Sequence, residues 1–355
     1  MKVLFIARAT LYQSPGGDTI QILKTAEALR NLDVVVDIGL TTETFNYEQY
    51  DIVHFFNIIR PADILFHFSK AKKKVISSIF VDYSEAELLA GKKIRSFLVK
   101  IIGANKLEYI KAVGKAILGK EEIRSRKYLL KGHLSSVKYI HQHADAILPN
   151  SYSEQNRLEQ ALGKTNAYIR RIVNGVDIKK NIIPNKRFDG AIICVGRIER
   201  LKNQLMLINV LNTLDIPAYI IGKPAINDTL YAEECKKIAK PHIQFIENLP
   251  QEEVFAIMKA AKVHVLPSWF ETTGLASLEA AYYGCNVVVS KKGDQEEYFK
   301  NFAYFCKPDD ENSIKEAILK AYHGTYNNAF HKLIEETYTW EQAANQTKQV
   351  YQEIL

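Results

Sequence analysis

Two glutamates eight residues apart flank a short glycine turn in the second half of the chain, Glu271 before it and Glu279 after it. The turn consists of Thr273, Gly274 and Leu275. A helix that begins at such a turn presents unpaired backbone N–H groups and the positive end of its dipole, which suits a diphosphate. Glu279 would then lie about 7.5 Å along the helix, within reach of ribose hydroxyls. Glu271 would face a sugar hydroxyl and a developing oxocarbenium ion. The alternative is two ordinary solvated carboxylates.

Two cations follow the first predicted strand of the same half, Arg197 and Lys202. Because the strand tips of a parallel sheet share one edge, we expect both cations to flank the anion that the glycine turn would bind. The alternative is a pair of solvated surface cations. An Asp-x-Asp metal motif occurs nowhere in the sequence. Charge on a departing phosphate would therefore be met by cations and a helix terminus, and we expect neither a metal nor a cofactor.

Three motifs together resemble the retaining glycosyltransferases of the GT-B fold, specifically family 4, over nearly the whole chain. They are Glu-x7-Glu (Glu271, Glu279), Gly-Arg-x4-Lys (Gly196, Arg197, Lys202) and Asn174-Gly175-Val176-Asp177. The resemblance implies an α/β protein with two doubly wound, Rossmann-like domains that face each other across a cleft. It also implies that Arg197 and Lys202 neutralise the leaving diphosphate and that Glu271 positions the transferred sugar.

The resemblance further implies a set of donor-binding residues. Gly16 and Gly17 match a loop that closes over the donor phosphates or the acceptor, and Asn248 lies where backbone groups meet the base. The complete set is Gly16, Gly17, Gly196, Gly222, Asn248, Thr273, Gly274, Leu275 and Glu279.

The match departs from the family where a histidine commonly contacts the sugar. Val81 occupies the expected position, and a shift of one residue brings Asp82 there as a sugar contact. Loss of the imidazole predicts a donor with little to bind at carbon 6, such as a 6-deoxyhexose or a pentose. An inactive homologue is the alternative.

Short apolar strands alternate with helical segments along the whole chain, which predicts two parallel doubly wound sheets. We expect an acceptor-binding domain over residues 1–175, completed by a C-terminal helix over 340–355, and a nucleotide-sugar-binding domain over 190–335. The polar stretch Asn181 to Asp189 is the expected linker. The four cysteines form no Cys-x-x-Cys pair, so we expect reduced core residues.

Charge is concentrated in residues 91–140, where thirteen Lys or Arg face three Glu, a local net charge of +10 in a chain of +7. This segment predicts an anionic partner. Apolar residues recur near helical spacing from Ile94 to Ile117, so the segment forms either an amphipathic membrane-binding face or a helix whose apolar stripe lies in the core. The aromatic interleaving of single-strand nucleic-acid binders is not evident, and we expect no nucleic acid.

No uncharged apolar run reaches the roughly 18 residues of a membrane helix, so we expect a cytoplasmic protein, peripheral at the inner face of the cell membrane. The expected reaction moves a sugar from a UDP- or GDP-linked donor to a saccharide acceptor, lipid-linked, as in the assembly of a capsule, O-antigen or similar cell-envelope polysaccharide. Two alternatives remain. A non-hydrolysing nucleotide-sugar epimerase would act without an acceptor, and a non-catalytic basic protein would bind lipid or nucleic acid without sugar transfer.

Overall fold

The structure is a computed structural model, and it describes residues 1–13, 15–81, 109–110, 114 and 123–355. These residues divide into two compact units. Unit 1 holds the described residues up to Gly175 together with Trp340–Leu355, and unit 2 holds Val176–Thr339. Residues 181–189, expected as a linker, therefore lie inside unit 2. Within this stretch the Phe188 ring packs on the Tyr219 ring at 4.6 Å between centroids.

Unit 1 is built on a parallel sheet with the strand order β2-β1-β3-β4-β5-β6. Its strands are β1 (Lys2–Ala7), β2 (Val35–Leu40), β3 (Ile52–Phe56), β4 (Lys74–Ser77), β5 (Ala146–Leu148) and β6 (Tyr168–Ile169). Its described helices of four or more residues are α1 (Gly17–Arg30), α2 (Pro61–Phe68), α3 (Arg126–Lys131), α4 (His133–His143), α5 (Tyr152–Leu162) and, from the end of the chain, α13 (Trp340–Ile354).

Unit 2 repeats this architecture with the strand order β12-β11-β10-β7-β8-β9, again with parallel pairing. Its strands are β7 (Ile192–Val195), β8 (Ala218–Ile221), β9 (Ile243–Ile246), β10 (Val263–Leu266), β11 (Asn286–Ser290) and β12 (Tyr304–Cys306). Its helices are α6 (Gln204–Leu211), α7 (Thr229–Ile238), α8 (Gln251–Ala260), α9 (Leu275–Tyr282), α10 (Gln295–Phe299), α11 (Glu311–His323) and α12 (Asn328–Thr337).

The central strands are buried along their whole length, as expected where helices cover both faces of a parallel sheet. The two predicted doubly wound sheets are thus confirmed. All four cysteines are buried free thiols, as the sequence predicted. Burial raises the pKa of Cys194 and of Cys306 to about 12, so both remain protonated packing residues at neutral pH.

The C-terminal helix α13 packs within unit 1. Tyr351, fully buried on α13, bonds through its hydroxyl to Nδ1 of His54 on β3 at 2.6 Å. Nε2 of the same imidazole bonds to Oγ of Ser77 at 2.9 Å, so both ring nitrogens have partners. Leu355, the last residue of the predicted helical segment, is 59% exposed.

Candidate active site

The candidate site of unit 2 lies at the carboxyl ends of β7 and β10. These strands are neighbours, and the sheet continues from β7 through β8 on one side and from β10 through β11 on the other. Such a reversal of strand order opens a crevice at the sheet edge, where open α/β sheets bind their ligands. Lys202 follows β7 and Glu271 follows β10, so the crevice has one of these side chains on each side.

Lys202 and Glu271 form an ion pair at this crevice. Nζ of Lys202 donates to Oε1 of Glu271, and Oγ of Ser268 donates to the same oxygen at 2.9 Å. The lysine and glutamate side chains are only 18% and 11% exposed. The pair is therefore less screened by water than a surface pair. Because an ammonium carries three donors, Lys202 can hold Glu271 and a phosphate oxygen together.

Asn203 ties the two loops of the site to each other. It adopts a left-handed conformation with φ of +61°, and its Nδ2 donates to the carbonyls of Pro267 at 3.2 Å and Pro308 at 2.7 Å. The amide of Trp269 donates to the carbonyl of Leu201 at 2.9 Å. The loop after β7 thus holds the loop after β10, which fixes the approach of Lys202 to its partner.

The backbone of Glu271 rests on a second glycine turn, at Gly293. The amide of Asp294 donates to the Glu271 carbonyl at 2.8 Å. Gly293 has φ of +80°, and a Cβ built there would lie 2.0 Å from that carbonyl oxygen. Only glycine allows this approach.

The predicted diphosphate turn does open a helix. Gly274, with φ of +68°, caps α9, and Leu275 is its first residue. The first amides of a helix have no partner inside the helix, and the first turn of α9 carries no acidic side chain that would compete with an anion. Thr273 is buried. Glu279 is the fifth residue of α9, about 6 Å along the helix axis from Leu275, and its side chain is half-buried.

The predicted glycines after β7 and β8 pack directly against each other. Gly222 has φ of +148°, and a Cβ there would lie 2.1 Å from the carbonyl oxygen of Gly196. The amide of Ile198 donates to the carbonyl of Lys223 at 2.9 Å. Both glycines therefore shape the sheet edge. Asn248 follows β9 in a left-handed conformation with φ of +61° and is exposed.

The two predicted cations pair with different carboxylates. Nη2 of Arg197 lies 3.4 Å from Oε1 of Glu199, and the arginine side chain is 48% exposed, whereas Lys202 pairs with Glu271. Gln204, fully buried, donates from Nε2 to the Arg197 carbonyl at 2.8 Å. The fold therefore anchors the backbone of Arg197 and leaves its side chain toward solvent.

Gly16 and Gly17 belong to unit 1, at the start of α1. Gly16 is the extended residue before the helix, and its amide donates to Oγ1 of Thr19 at 3.1 Å. Arg8 binds the carboxylate of Asp18, the second residue of the helix, with Nε 2.6 Å from Oδ2 and Nη2 3.1 Å from Oδ1. Asp82, expected as a sugar contact, lies outside the described residues.

A buried histidine lies beside the site without offering acid–base chemistry. Burial lowers the pKa of His264 on β10 to about 3, and its Nε2 accepts the Val195 amide at 3.4 Å. The imidazole is therefore neutral at pH 7. In the part of the chain that the structure describes, no group of three or more His, Cys, Asp or Glu is arranged to hold a metal ion. The same residues include no helix long and apolar enough to cross a membrane.

Sequence reasoning missed two residues that build the site, Ser268 and Gly293. Ser268 bonds the same carboxylate oxygen as Lys202, and its position three residues before Glu271 in one loop was a usable signal. Gly293 comes after the strand β11, as Gly196 and Gly222 come after β7 and β8, and this shared pattern was a second signal.

Comparisons of sequence find a known family over unit 2. The model of the family described as glycosyl transferases group 1 matches residues 177–340. An uncharacterized 41.2 kDa protein from the cps region of Klebsiella pneumoniae is 22% identical over 81% of this chain and 70% of its own length. A glycogen synthase of Mycobacterium tuberculosis is 25% identical over 60% of this chain and 55% of its own length. The match thus spans about half of that synthase.

Comparisons of structure extend over both units. A sucrose-phosphate synthase from Thermosynechococcus elongatus superposes with a TM-score of 0.74 at 16% identity and covers 100% of this chain and 99% of its own. The Anabaena protein HepE in complex with UDP-glucose gives a TM-score of 0.73 at 14% identity, with 99% and 100% covered. At such identities the likeness shows the fold, which is GT-B. Residues 177–340 match the model of glycosyl transferases group 1, and the chain is a glycosyltransferase of the GT-B fold.

Proposed function

We propose that this glycosyltransferase moves a sugar from a UDP- or GDP-linked donor to a hydroxyl of a saccharide acceptor, with retention at the anomeric carbon. The observation that carries the proposal is the Lys202–Glu271 pair at the switch point of unit 2, beside the amino end of α9. The structural relative HepE has been seen with UDP and with UDP-glucose, which supports a nucleotide-sugar donor.

The proposed roles follow from charge. Lys202 and Arg197 neutralise the leaving diphosphate together with the backbone amides at Thr273, Gly274 and Leu275. Each such donor is worth on the order of 100- to 1,000-fold in rate. Glu271 holds a hydroxyl of the transferred sugar and faces the positive charge that develops at the anomeric carbon, and Glu279 holds the ribose.

The proposed displacement occurs on one face of the sugar. The bond from the anomeric carbon to the phosphate oxygen breaks as the bond to the acceptor oxygen forms. The acceptor hydroxyl passes its proton to the departing phosphate oxygen, so a protein base is not required. Since a cationic side chain and helix amides meet the phosphate charge, we also propose that transfer needs no metal.

The donor sugar is proposed from Val81. An isopropyl group in place of an imidazole offers no hydrogen bond to a hydroxyl at carbon 6, and leaving that hydroxyl unpaired would cost about 1–3 kcal/mol. A 6-deoxyhexose or a pentose avoids this cost. Asp82 is the neighbouring candidate for a sugar contact.

The acceptor is proposed to be a lipid-linked saccharide of cell-envelope polysaccharide synthesis, bound at the cytoplasmic membrane face. The relative from a cps region supports this context. Most of the basic segment, including Lys92, Lys93, Arg95 and Lys100, lies outside the described residues. In its described part, Leu130 is 88% exposed between the cations Lys127 and Lys131, a composition that suits an anionic bilayer.

A donor panel tests the proposed reaction. Hydrolysis and thermal stabilisation are measured with UDP, GDP, ADP and TDP sugars, and product configuration is assigned by NMR. We expect one UDP or GDP sugar to stabilise the wild type and to be consumed with retention. Inversion, or no response to any nucleotide sugar, would refute the proposal.

Vesicle sedimentation tests the proposed membrane surface separately. We expect binding to anionic vesicles at low salt, weaker binding at high salt, and loss of binding after charge reversal of Lys92, Lys93, Arg95 and Lys100. Equal binding by the charge-reversed variant would argue against docking by this segment.

A further inference from the structure

One residue at the carboxyl edge of the unit 1 sheet has a backbone conformation that its side chain disfavours. Ile79 lies two residues after β4 and has φ of +44°. Left-handed backbone is uncommon for any residue other than glycine, and for a β-branched residue it is an outlier. Among the described residues with positive φ, Ile79 alone is β-branched. Such a conformation persists only where the surrounding structure enforces it, and it is typical of functional sites.

Backbone hydrogen bonds fix the chain on both sides just before Ile79. The Ile58 amide, after β3, donates to the Ser78 carbonyl at 2.9 Å. The Ser78 amide donates to the carbonyl of Leu148, the last residue of β5, at 3.3 Å. Strand β4 lies between β3 and β5, one strand from the switch point between β1 and β3. The neighbouring strands therefore hold Ser78 at the edge where open α/β sheets bind their ligands.

The carboxylate of Glu154 holds both residues next to Ile79. Its Oε1 accepts from Oγ of Ser78 at 2.5 Å and from the Phe80 amide at 2.7 Å. Glu154 is completely buried, a place where glutamate is rare unless its carboxylate is satisfied. Hydrogen bonds to a carboxylate are short and about twice as strong as those between neutral groups. One oxygen atom thus keeps the residues before and after Ile79 close together, which enforces the left-handed turn between them.

The sequence around Glu154 resembles a helix cap, but its carboxylate binds elsewhere. Ser151 precedes α5, and its Oγ accepts the Glu154 amide at 2.8 Å, as in a capping box. The glutamate of a capping box would accept the amide of the cap residue in return. Here Oε2 accepts the amide of Asn150, one residue earlier, at 2.8 Å, and Oε1 reaches the loop after β4. Glu154 therefore joins the loops that follow β4 and β5.

Helix α5 also holds the carbonyl of Phe80. Arg157, one turn beyond Glu154, donates from Nη2 to this carbonyl at 3.4 Å. The backbone of Phe80 is thus bonded to α5 through its amide and through its carbonyl. The next residue is Val81, from which the donor sugar was proposed. The direction in which the chain reaches Val81 is therefore set by two side chains of α5.

We propose that Glu154 is a positioning residue for sugar transfer, which holds Ile79 in its left-handed conformation and thereby places Val81 for its contact with the donor sugar. The inference rests on the proposed transfer and on the proposed contact at Val81. Glu154 is completely buried and acts through the backbone of the loop, without touching the donor or the acceptor. Its loss should lower turnover and leave nucleotide binding in unit 2 unchanged.

Replacing Glu154 with glutamine removes the charge at constant shape. A carboxamide has one acceptor oxygen, and its NH2 group would point at a backbone amide that needs an acceptor. A displacement of about 1 Å can lower a rate on the order of 100-fold, so kcat of transfer should fall by about tenfold or more. The control is Glu159→Gln, the same change on the same helix at a carboxylate that accepts from Gln155 at 3.0 Å. It should leave transfer near the wild-type rate.

Nucleotide binding separates misplacement of the loop from loss of folding. UDP and GDP are titrated by calorimetry against the wild type and Glu154→Gln. The nucleotide that binds the wild type should bind the variant with an affinity within about threefold. Ser78→Ala, a milder variant, removes one bond to Glu154 and should lower kcat by about threefold with the same nucleotide affinity.

Two substitutions of Ile79 test the held conformation directly. Ile79→Gly and Ile79→Ala both remove the buried side chain beyond Cβ, but only glycine adopts positive φ freely. Ile79→Gly should therefore have a Tm at or above that of Ile79→Ala, the reverse of their order in ordinary backbone. In the Glu154→Gln background, Ile79→Gly should transfer at least about fivefold faster than Ile79→Ala, because glycine does not need the carboxylate to hold the turn.

Three results would overturn the inference in a wild type that transfers sugar. They are wild-type transfer rates in both Glu154→Gln and Ser78→Ala, nucleotide affinity that falls as far as transfer does, and an Ile79→Ala variant that exceeds Ile79→Gly in Tm and in rate. A wild type that neither transfers nor hydrolyses any nucleotide sugar would instead refute the proposed function, before any variant is compared.

Discussion

Replacing Lys202 with methionine should separate the catalytic role of the Lys202–Glu271 pair from its structural role. Methionine keeps most of the aliphatic length and removes the charge. If Lys202 meets charge on the departing phosphate, turnover should fall on the order of 100- to 1,000-fold, a barrier increase of about 2.7–4 kcal/mol. Substrate affinity should change less than turnover, since the interaction strengthens as the leaving group gains charge.

The effect on stability follows from burial. Exposed ion pairs contribute about 0–1 kcal/mol, and breaking a fully buried pair costs about 3–5 kcal/mol. The side chains of this pair are 18% and 11% exposed, and Ser268 still donates to Glu271 after the change. We therefore expect a loss of about 1–3 kcal/mol. For a unit of this size, each kcal/mol lowers the Tm by about 2–4 °C.

Three further variants give the experiment its controls. Adding Glu271→Gln to Lys202→Met removes the orphaned carboxylate and should recover part of the Tm without recovering turnover. Lys202→Arg should recover charge and part of the rate. Lys236→Met breaks a more exposed pair in the same unit, with Glu247 at 2.8 Å, and should leave both quantities near wild type. Turnover within about threefold of wild type in Lys202→Met, or an equal loss in Lys236→Met, would refute the reasoning.

Three more outcomes are expected. Gly293→Ala should lower transfer at least about tenfold, because the added Cβ would lie 2.0 Å from the Glu271 carbonyl oxygen. Gly284→Ala is the control: this residue also has a positive φ, +102°, but open space around it, so the change should lower stability without affecting transfer. Equal kinetics in the two variants would contradict this. Burial lowers the pKa of His54 and His264 to about 3 from 6.5. Between pH 3 and pH 6.5 the unfolded chain therefore binds more protons than the folded chain. The folding free energy is unaffected by these histidines above pH 6.5, and below it the protein loses about 1.4 kcal/mol of stability per pH unit and histidine. A Tm that stays constant from pH 7.5 to 5 would show the reasoning to be wrong. Chelator should leave transfer unchanged in kinetic assays, and strict dependence on magnesium or manganese would count against the metal-independent proposal.

The strands that sequence alone could predict are those buried on both faces. The run Ile52–Phe56 and the run Asn286–Ser290 are apolar enough, and sufficiently bounded by turn residues, to be recognised locally. The short strands β6 and β12 are not buried along their whole length, so neither forms a fully apolar run that sequence could reveal. The expected linker failed for another reason. Its polar composition resembles a loop, but Phe188 is buried against Tyr219, thirty-one positions further on.

For the site, sequence could predict that the charged side chains lie at one edge of the sheet, but not which of them form ion pairs with each other. Lys202 and Glu271 were expected to meet one ligand from opposite sides, because strand tips of a parallel sheet converge. Their direct contact depends on Asn203, whose side chain joins carbonyls 64 and 105 positions away. Arg197 was expected beside the same anion, and its contact with Glu199, two residues along the chain, was not predicted. Such choices among nearby partners depend on tertiary packing that local pattern does not encode.

The two switch points differ in one respect that bears on what each can bind. In unit 2 the helix that opens at the crevice, α9, has no acidic residue in its first turn, so the positive end of its dipole remains available to a diphosphate. In unit 1 the corresponding helix, α1, carries Asp18 there, and Arg8 neutralises that carboxylate. The same architecture thus leaves the first helical turn without an acidic side chain in one unit and places a paired carboxylate there in the other. The first turn of each helix is where the sequence sets this difference.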